Sequence, residues 1–590
     1  MFIFDYFINN TIINNEYDKN DIFKLPLFYL DKNDLYDINP IVLDDLELVN
    51  NNSDNNTDTD IHPIYEYLLE PKHSFGKNMI NKWKLKYTNN ISYLNDSKNI
   101  ISNFHLYKPD IYIKSNCDEV LNIWNDIKYD EFFLEKYNYV DFNILKHLNE
   151  SSSFLQCYSI INLLSPLISL IVPIILLILP FILLKFQGIH ISLSTYIDSL
   201  KFLGKNHFMG KALFSLETIN FQTLSYVLIM FGLYLFQMYQ NSIMCYRFYN
   251  NINKINMEMI KIKEFVSYSI SSMNSFNDNY SNLVSYKPFF NDLNIHYNNL
   301  LLLQTDLDQI ELYNNLVKKC TNVGYLLKSY YLIFSNIDYE KSLIYSMEFE
   351  GYIDNLTSIY CHYNNKNISL ANFNNENSCK LKDQYYPPLI KDMPIKNTCN
   401  LNKNIIVSAP NKSGKTTILK TTAINIIFSQ QFGCGFYSSA SITPFTHIHS
   451  YINIPDTSAR DSLFQAESRR CKDIIDIITN NDSNKRHFCI FDELYSGTNP
   501  VEASLAGIAF LQYLQQFKNV KFILTTHYTS ICKKFKNSKN IQNYKMDVKV
   551  SDDDSFDYKY KLKKGISYIK GAIRVLKDLN YPEEIINNIR

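Results

Sequence analysis

NIIVSAPNKSGKTT, running from Asn404 to Thr417, decides how the rest of the chain is read. Ile405 to Ser408 is a short β-branched strand, a tight loop follows, and a helix is expected to start at Lys415-Thr416-Thr417. This is the spacing of a phosphate-binding P-loop, with Ala409 where that pattern places its first glycine. Each position has a physical reason. Backbone N–H groups of such a loop point at phosphate oxygens, and the helix N-terminus adds partial positive charge. Lys415 is the cation for the β- and γ-phosphates, the Thr416 hydroxyl a ligand for magnesium, and Gly414 permits close approach of the backbone. Ala409, Pro410, Asn411, Lys412, Ser413, Gly414, Lys415, Thr416 and Thr417 together form the candidate nucleotide-binding set. A methyl at Ala409 is tolerable provided φ there is negative.

Downstream, HFCIFDELYSGTNP occupies residues 487 to 500. His487 to Phe491 read as a buried strand with Asp492 and Glu493 at its carboxyl end, where open α/β sheets bind ligands. Asp492 is positioned to hold magnesium and Glu493 to orient a water; a strand-end acidic pair can equally be a solvated strand exit. A further strand, KFILTTHY, carries His527 at its end, a candidate γ-phosphate contact. From Met393 onward short β-branched runs alternate with helices, so residues 393–590 are expected to be an α/β domain.

Upstream the grammar differs. A chain of 590 residues exceeds one core and predicts a multidomain α+β protein whose N-terminal and middle regions are mostly helical. Its formal net charge of −1 argues against a uniformly basic nucleic-acid coat, and 20% charged residues against a disordered chain. The 11 cysteines are scattered without a CxxC pair, which predicts free thiols rather than disulfides or a zinc knuckle. MFIFDYFINN has no basic leader, so no secretory signal is expected and an intracellular location is.

Residues 1–150 have no assignable role and contain a low-complexity stretch at 50–60. Residues 151–250 hold two uncharged runs, 151–184 and 218–246, each long enough for about 30 Å of hydrocarbon. Segments 163–184 and 221–239, the second with its apolar centre at 224–236, are expected to form a membrane hairpin; a buried hairpin in a soluble core is the alternative. Pro166, Pro173 and Pro180 fall on one helix face and are better tolerated in lipid than in water. Residues 251–392 read as long amphipathic helices, a core or lever region, with a polar linker expected at 364–382.

At this point a resemblance is plain. Asn404 to Arg590 resembles the ATPase domain of the MutS family of DNA mismatch repair proteins, within the ABC-type class. SAPNKSGKTT looks like that family's P-loop, DELYSGTNP its Walker B segment and TTHY its histidine element. RDSLFQAESRR, residues 460–470, is similar to its signature segment, with Ser462 and Glu467 in the Ser and Glu places. Residues 560–586 are similar to its closing segment. The resemblance implies ATP and Mg2+ as cofactors and hydrolysis coupled to conformational change. It further implies catalytic roles for Glu493 and His527, and a γ-phosphate contact for Asn411. Ser462 would complete a partner's site in a homodimer, and DNA would be a partner.

Two departures qualify this. Family members that detect mismatches use a Phe-x-Glu wedge, and the corresponding tripeptide here, Phe133-Leu134-Glu135, lies beside the first apolar run. The apolar runs themselves resemble shorter, membrane-segment-bearing relatives of the family, in which the ATPase domain would face the cytosol. An adenine-stacking aromatic is not evident; Met393 or Ile395 stands near its place.

Overall fold

Asn404–Ser408 and His487–Asp492 lack the in–out alternation of half-exposed strands because both of their faces are covered. They belong to a six-stranded sheet in a computed structural model. The structure describes residues 22–50, 62–110, 116–188, 191–206, 221–313, 316–452, 454, 462–480, 482, 484–550, 556–569, 581–582 and 584–585. The low-complexity stretch after Asn50 and about half of the closing segment lie outside these residues. The protein is multidomain α+β. It divides into two compact units, one drawn from residues 1–111, 269–297 and 344–590, the other from 112–268 and 298–343.

In the first unit the sheet runs Phe556–Lys564, Ile541–Val550, Asn404–Ser408, Val520–Thr526, His487–Asp492, His447–Tyr451. Only the Phe556–Lys564 edge strand is antiparallel to its neighbour. The core between sheet and helices is built from Ile406, Phe491, Phe522 and Leu524, against Phe510 and Leu511 of the Pro500–Leu514 helix. The Lys415–Phe432 helix is buried along almost its whole length. Its polar residues are paired, as burial requires. Gln384 donates to Thr422 Oγ1 (2.7 Å), Gln430 to the Phe445 carbonyl (2.7 Å) and Gln431 to the Trp83 carbonyl (2.7 Å). Tyr65 donates to Gln431 Oε1 (3.0 Å), so residues 62–88 dock on the far end of this helix.

The polar linker expected at 364–382 is not a linker. Ser369–Phe373 and Cys379–Gln384 are strands of a five-stranded sheet that also contains Asn397–Asn400, Ser439–Ile442 and Cys434–Gly435. Cys379–Gln384 buries Cys379 and Leu381 and exposes Lys380, a period-two pattern that the surrounding asparagines disguise. The described cysteines are free, as expected.

The second unit is helical. Phe133, buried to 1%, stacks on Phe334 at 4.1 Å between centroids and on Tyr330 at 5.3 Å. Ser152–Phe186 is one continuous helix, and its first turns pack on Leu316–Ser335. Gly324 makes this packing possible, since a Cβ there would lie 2.2 Å from the Ser152 carbonyl oxygen. Leu300 and Leu303, in the leucine run, are core residues.

Candidate functional site

The strand Asn404–Ser408 delivers the loop of residues 409–414 to the carboxyl edge of the six-stranded sheet. Ala409 is buried and its backbone is not left-handed, so the methyl replacing the expected glycine costs nothing. Left-handed backbone falls instead at Lys412 (φ 62°) and Gly414 (φ 86°). Gly414 is needed for space as well: a Cβ there would stand 3.2 Å from the Tyr560 ring. Ser413 donates to the Pro410 carbonyl (2.7 Å) and closes the turn.

Lys415 and Thr416 open the helix and meet the acidic pair. Lys415 Nζ donates to the Ala409 carbonyl (3.0 Å) and to Asn411 Oδ1 (3.2 Å), and pairs with Glu493 Oε1 at 3.0 Å. Thr416 Oγ1 donates to Asp492 Oδ2 (2.6 Å), and Thr525 donates to the other carboxylate oxygen. Glu493 sits at φ 52° with its N–H bonded to the Thr525 carbonyl (3.0 Å). That left-handed turn swings its carboxylate back over the loop. His527 Nδ1 lies 3.5 Å from Glu493 Oε1. Hydrogen bonding from His527, with the Lys415 ammonium beside it, outweighs partial burial and holds the Glu493 carboxyl down at about 2.

A cavity of about 900 Å³ opens above this cluster. Asn411 through Thr417, Asp492 and Glu493 line its floor. Tyr386, Leu389, Met393, Ile395, Met546 and Tyr560 supply an apolar upper wall. Met393 and Ile395, noted in the sequence, are part of this wall, and Tyr386 and Tyr560 are aromatic lining residues that sequence reading missed. Tyr560 comes from a strand 145 residues after the loop (560 − 415), and only the sheet order brings it there. Asn397 holds that strand, donating to the Tyr560 carbonyl (2.9 Å) and accepting from the Leu562 N–H (2.8 Å).

Most of the predicted residues therefore converge. Ala409 and Pro410 support the loop without lining the cavity, His527 contacts Glu493 but does not line the cavity either, and Ser462 lies outside it. Ser462 caps the Leu463–Asn480 helix: its Oγ accepts from the Gln465 N–H (3.3 Å) while its own N–H donates to Gln465 Oε1 (3.0 Å). Glu467, buried on the same helix, accepts from Ser496 N–H (2.9 Å), Ser496 Oγ (2.8 Å) and Gly497 N–H (3.1 Å). Gly497 has no room for a side chain, because its Cβ would meet Leu463 Cβ at 2.8 Å. Phe133, the residue in the wedge position of Phe-x-Glu, is in the core of the helical unit and cannot reach a base from there.

A loop-to-helix anion cradle at the carboxyl edge of a mainly parallel sheet, faced by a strand-end Asp-Glu pair, defines an α/β domain of the nucleotide-site type. Residues 405–590 match the family model of MutS domain V. That domain is the ATPase domain of the MutS family, and over these residues the chain is similar to it. The chain is 27% identical over 213 residues to the DNA mismatch repair protein MutS of Persephonella marina, covering 35% of this chain and 24% of that protein. It is 26% identical over 222 residues to an Endonuclease MutS2 of Staphylococcus epidermidis, covering 37% and 27% respectively. A third relative, Endonuclease MutS2 of Fusobacterium nucleatum, is 27% identical over 253 residues, covering 40% and 30%. The chain thus spans between a quarter and a third of the length of these curated relatives.

Proposed function

We propose that this protein binds and hydrolyses ATP, and that two copies complete each other's sites to drive a DNA-processing step. The observation that carries the reading is the convergence of Lys415, Thr416, Asp492 and Glu493 on the floor of one cavity. Phosphates entering there would meet the Lys415 ammonium and the loop N–H groups. The oxygens of Thr416 and Asp492 lie together at the cavity floor and suit a small hard cation such as Mg2+. Among the described residues no group of three or more His, Cys, Asp or Glu could hold a metal alone. That fits an ion completed by the nucleotide's own phosphates, whose charge it would neutralise. Glu493 is the base that orients water, with His527 beside it. Its ion pair with Lys415 must yield when phosphate arrives, so nucleotide binding is also what frees the carboxylate.

Ser462 caps a helix N-terminus outside its own cavity, which supports a role on the γ-phosphate of a second copy. The test mixes Lys415→Ala with Ser462→Arg chains. Each alone is expected to be inactive, and mixed dimers should recover part of the turnover because one composite site remains intact. No recovery in demonstrated heterodimers would mean that each site is completed within one chain, or that both sites must fire together. Lys415→Ala should also lose at least about 100-fold in ATP affinity by calorimetry; unchanged affinity would remove the assignment.

The relatives' names connect the domain with mismatch repair and, for MutS2, with an endonuclease. The family model covers residues 405–590 and the relatives match no more than about two-fifths of this chain, so no nuclease step is carried over. The burial of Phe133 favours a second reading, a mechanochemical ATPase of MutS type without mismatch recognition. Salt-dependent binding to homoduplex, mismatched and branched DNA, with and without ATP, separates the two. A mismatch preference would restore the first in full.

A further inference from the structure

The helix Ser152–Phe186 changes character along its length. Leu155 and Ser159 are buried against the protein, whereas beyond them many of the described apolar side chains, from Ile160 and Leu164 to Ile182, are exposed. Leu167, Ile171 and Leu183 are each about half exposed (53%, 49% and 52%). Only 11% of the apolar stretch within Ser152–Ile171 is buried, so the described residues of this chain do not cover it. The Phe221–Tyr280 helix runs antiparallel beside it: Cys245 donates to the Leu163 carbonyl (3.2 Å) and Tyr234 to the Ser169 carbonyl (3.4 Å). Phe231, Leu233 and Phe236 of that helix are exposed as well. A contiguous apolar surface of this kind marks a site of contact with something outside the chain.

The prolines point to what covers it. Each proline lacks an N–H and so leaves the carbonyl four residues earlier without its helical donor. Pro166 frees Asn162, and Ser165 Oγ donates to that carbonyl at 2.8 Å. Pro173 frees Ser169, and its carbonyl is the one that accepts from Tyr234 of the neighbouring helix. Water would satisfy these groups unaided; hydrocarbon cannot, and there the protein must supply the donors itself.

Length and charge agree. Leu163 to Leu184 spans about 33 Å at the helical rise, against a hydrocarbon thickness of about 30 Å. Asn162 and Lys185 bound it, and the pairing of Cys245 with Leu163 sets Arg247 at the same level as Asn162. We propose that these two helices insert as a hairpin into a lipid bilayer. Asn162 and Arg247 mark one interface, and Lys185 marks the other. The chain before Ser152 and the chain after Arg247 then emerge on one side.

The test synthesises the full chain beside vesicles of phosphatidylcholine with a minor share of phosphatidylglycerol. Flotation then separates bound chain, and alkaline carbonate strips peripheral protein. The wild-type chain is expected to float and to stay after carbonate. Ile171→Arg combined with Ile175→Arg is expected to lower carbonate-resistant retention at least tenfold. Both positions are exposed, so the variant can fold; an unchanged far-UV circular dichroism spectrum of the chain in detergent checks that it does. Release of the wild type by carbonate overturns the proposal, as does a soluble oligomer formed without detergent, which would make a second copy the cover. Equal retention of the double variant also overturns it.

Discussion

The strand Asn404–Ser408 and the helix segment Leu163–Leu184 are both uncharged and rich in β-branched and aliphatic residues, yet they meet opposite fates. Every residue of the strand is buried between layers of its own chain. The helix segment leaves about half of many side chains uncovered. Apolar composition therefore says that something must cover a segment, and not what. The difference lies in the polar groups nearby. Around the strand, backbone donors and acceptors are consumed by neighbouring strands, and Lys415, Asp492 and Glu493 are held by partners within the site. In the helix, carbonyls orphaned by proline are met by hydroxyl groups of Ser165 and Tyr234.

That contrast breaks if side-chain truncation costs the same in both places. Phe491→Ala, in the fully buried sheet core, should lose about 3–5 kcal/mol of stability. Leu167→Ala should lose no more than about 0.5 kcal/mol, both read from denaturant titrations in mild detergent. Comparable losses would mean that the hairpin is a packed core after all.

A smaller effect separates the two regions by pH. His447, His449 and His487 stack on one face of adjacent strands, and His449 Nε2 lies 3.0 Å from His487 Nδ1. Burial, and the neighbouring imidazoles, lower His449 to about 3 and His487 to about 4. Both groups are neutral when folded and take up protons more readily when unfolded. Their contribution is thus fully present above about pH 6.5 and is lost as pH falls toward the folded values, by up to about 1.4 kcal/mol per pH unit for each imidazole. The window between about pH 6.5 and 5 lies above most carboxylate titrations, so a falling denaturation midpoint there reports the buried imidazoles, this pair together with His447 and His362, which burial also lowers. His449→Gln should flatten it. The hairpin run 151–184 has no Asp, Glu, Lys, Arg or His, and its helicity should not follow.

The smallest effect is the sharpest. Tyr234→Phe removes one hydroxyl from the Ser169 carbonyl and should cost about 0.6 kcal/mol of hairpin stability in micelles. A zero effect would leave that carbonyl satisfied by water.

Much of the site is legible in the sequence because its chemistry is local. A strand, a loop with Gly414, and Lys415-Thr416 follow one another in the chain, and Asp492-Glu493 announce themselves at a strand end. What cannot be read there depends on sheet order. Tyr560 and Asn397 reach the cavity from strands whose neighbours are far away in sequence. Glu493 reaches Lys415 only because its backbone turns left-handed, a conformation no residue-type rule assigns to glutamate. Residues 369–384 look like a linker because asparagine-rich composition outweighs a short alternation, and strand identity there is decided by pairing with Ser439–Ile442. The wedge-like motif at Phe133 is likewise disarmed only by tertiary packing, the stacking of its ring on Phe334.

The grip of Glu467 has a mechanical consequence. Its carboxylate holds Ser496 and Gly497, three and four residues beyond Glu493, while Ser462 sits at the tip of the same helix, about 7.5 Å along its axis. Leu463 presses on Gly497 from the helix side and leaves no slack. The tip and the loop are therefore yoked. A tug on Ser462 from outside travels through little more than one helical turn to the segment that aims Glu493, and a shift of Glu493 travels back the same way. Glu467→Gln would keep the shape of this coupling while removing its charge, and Glu467→Ala would cut it.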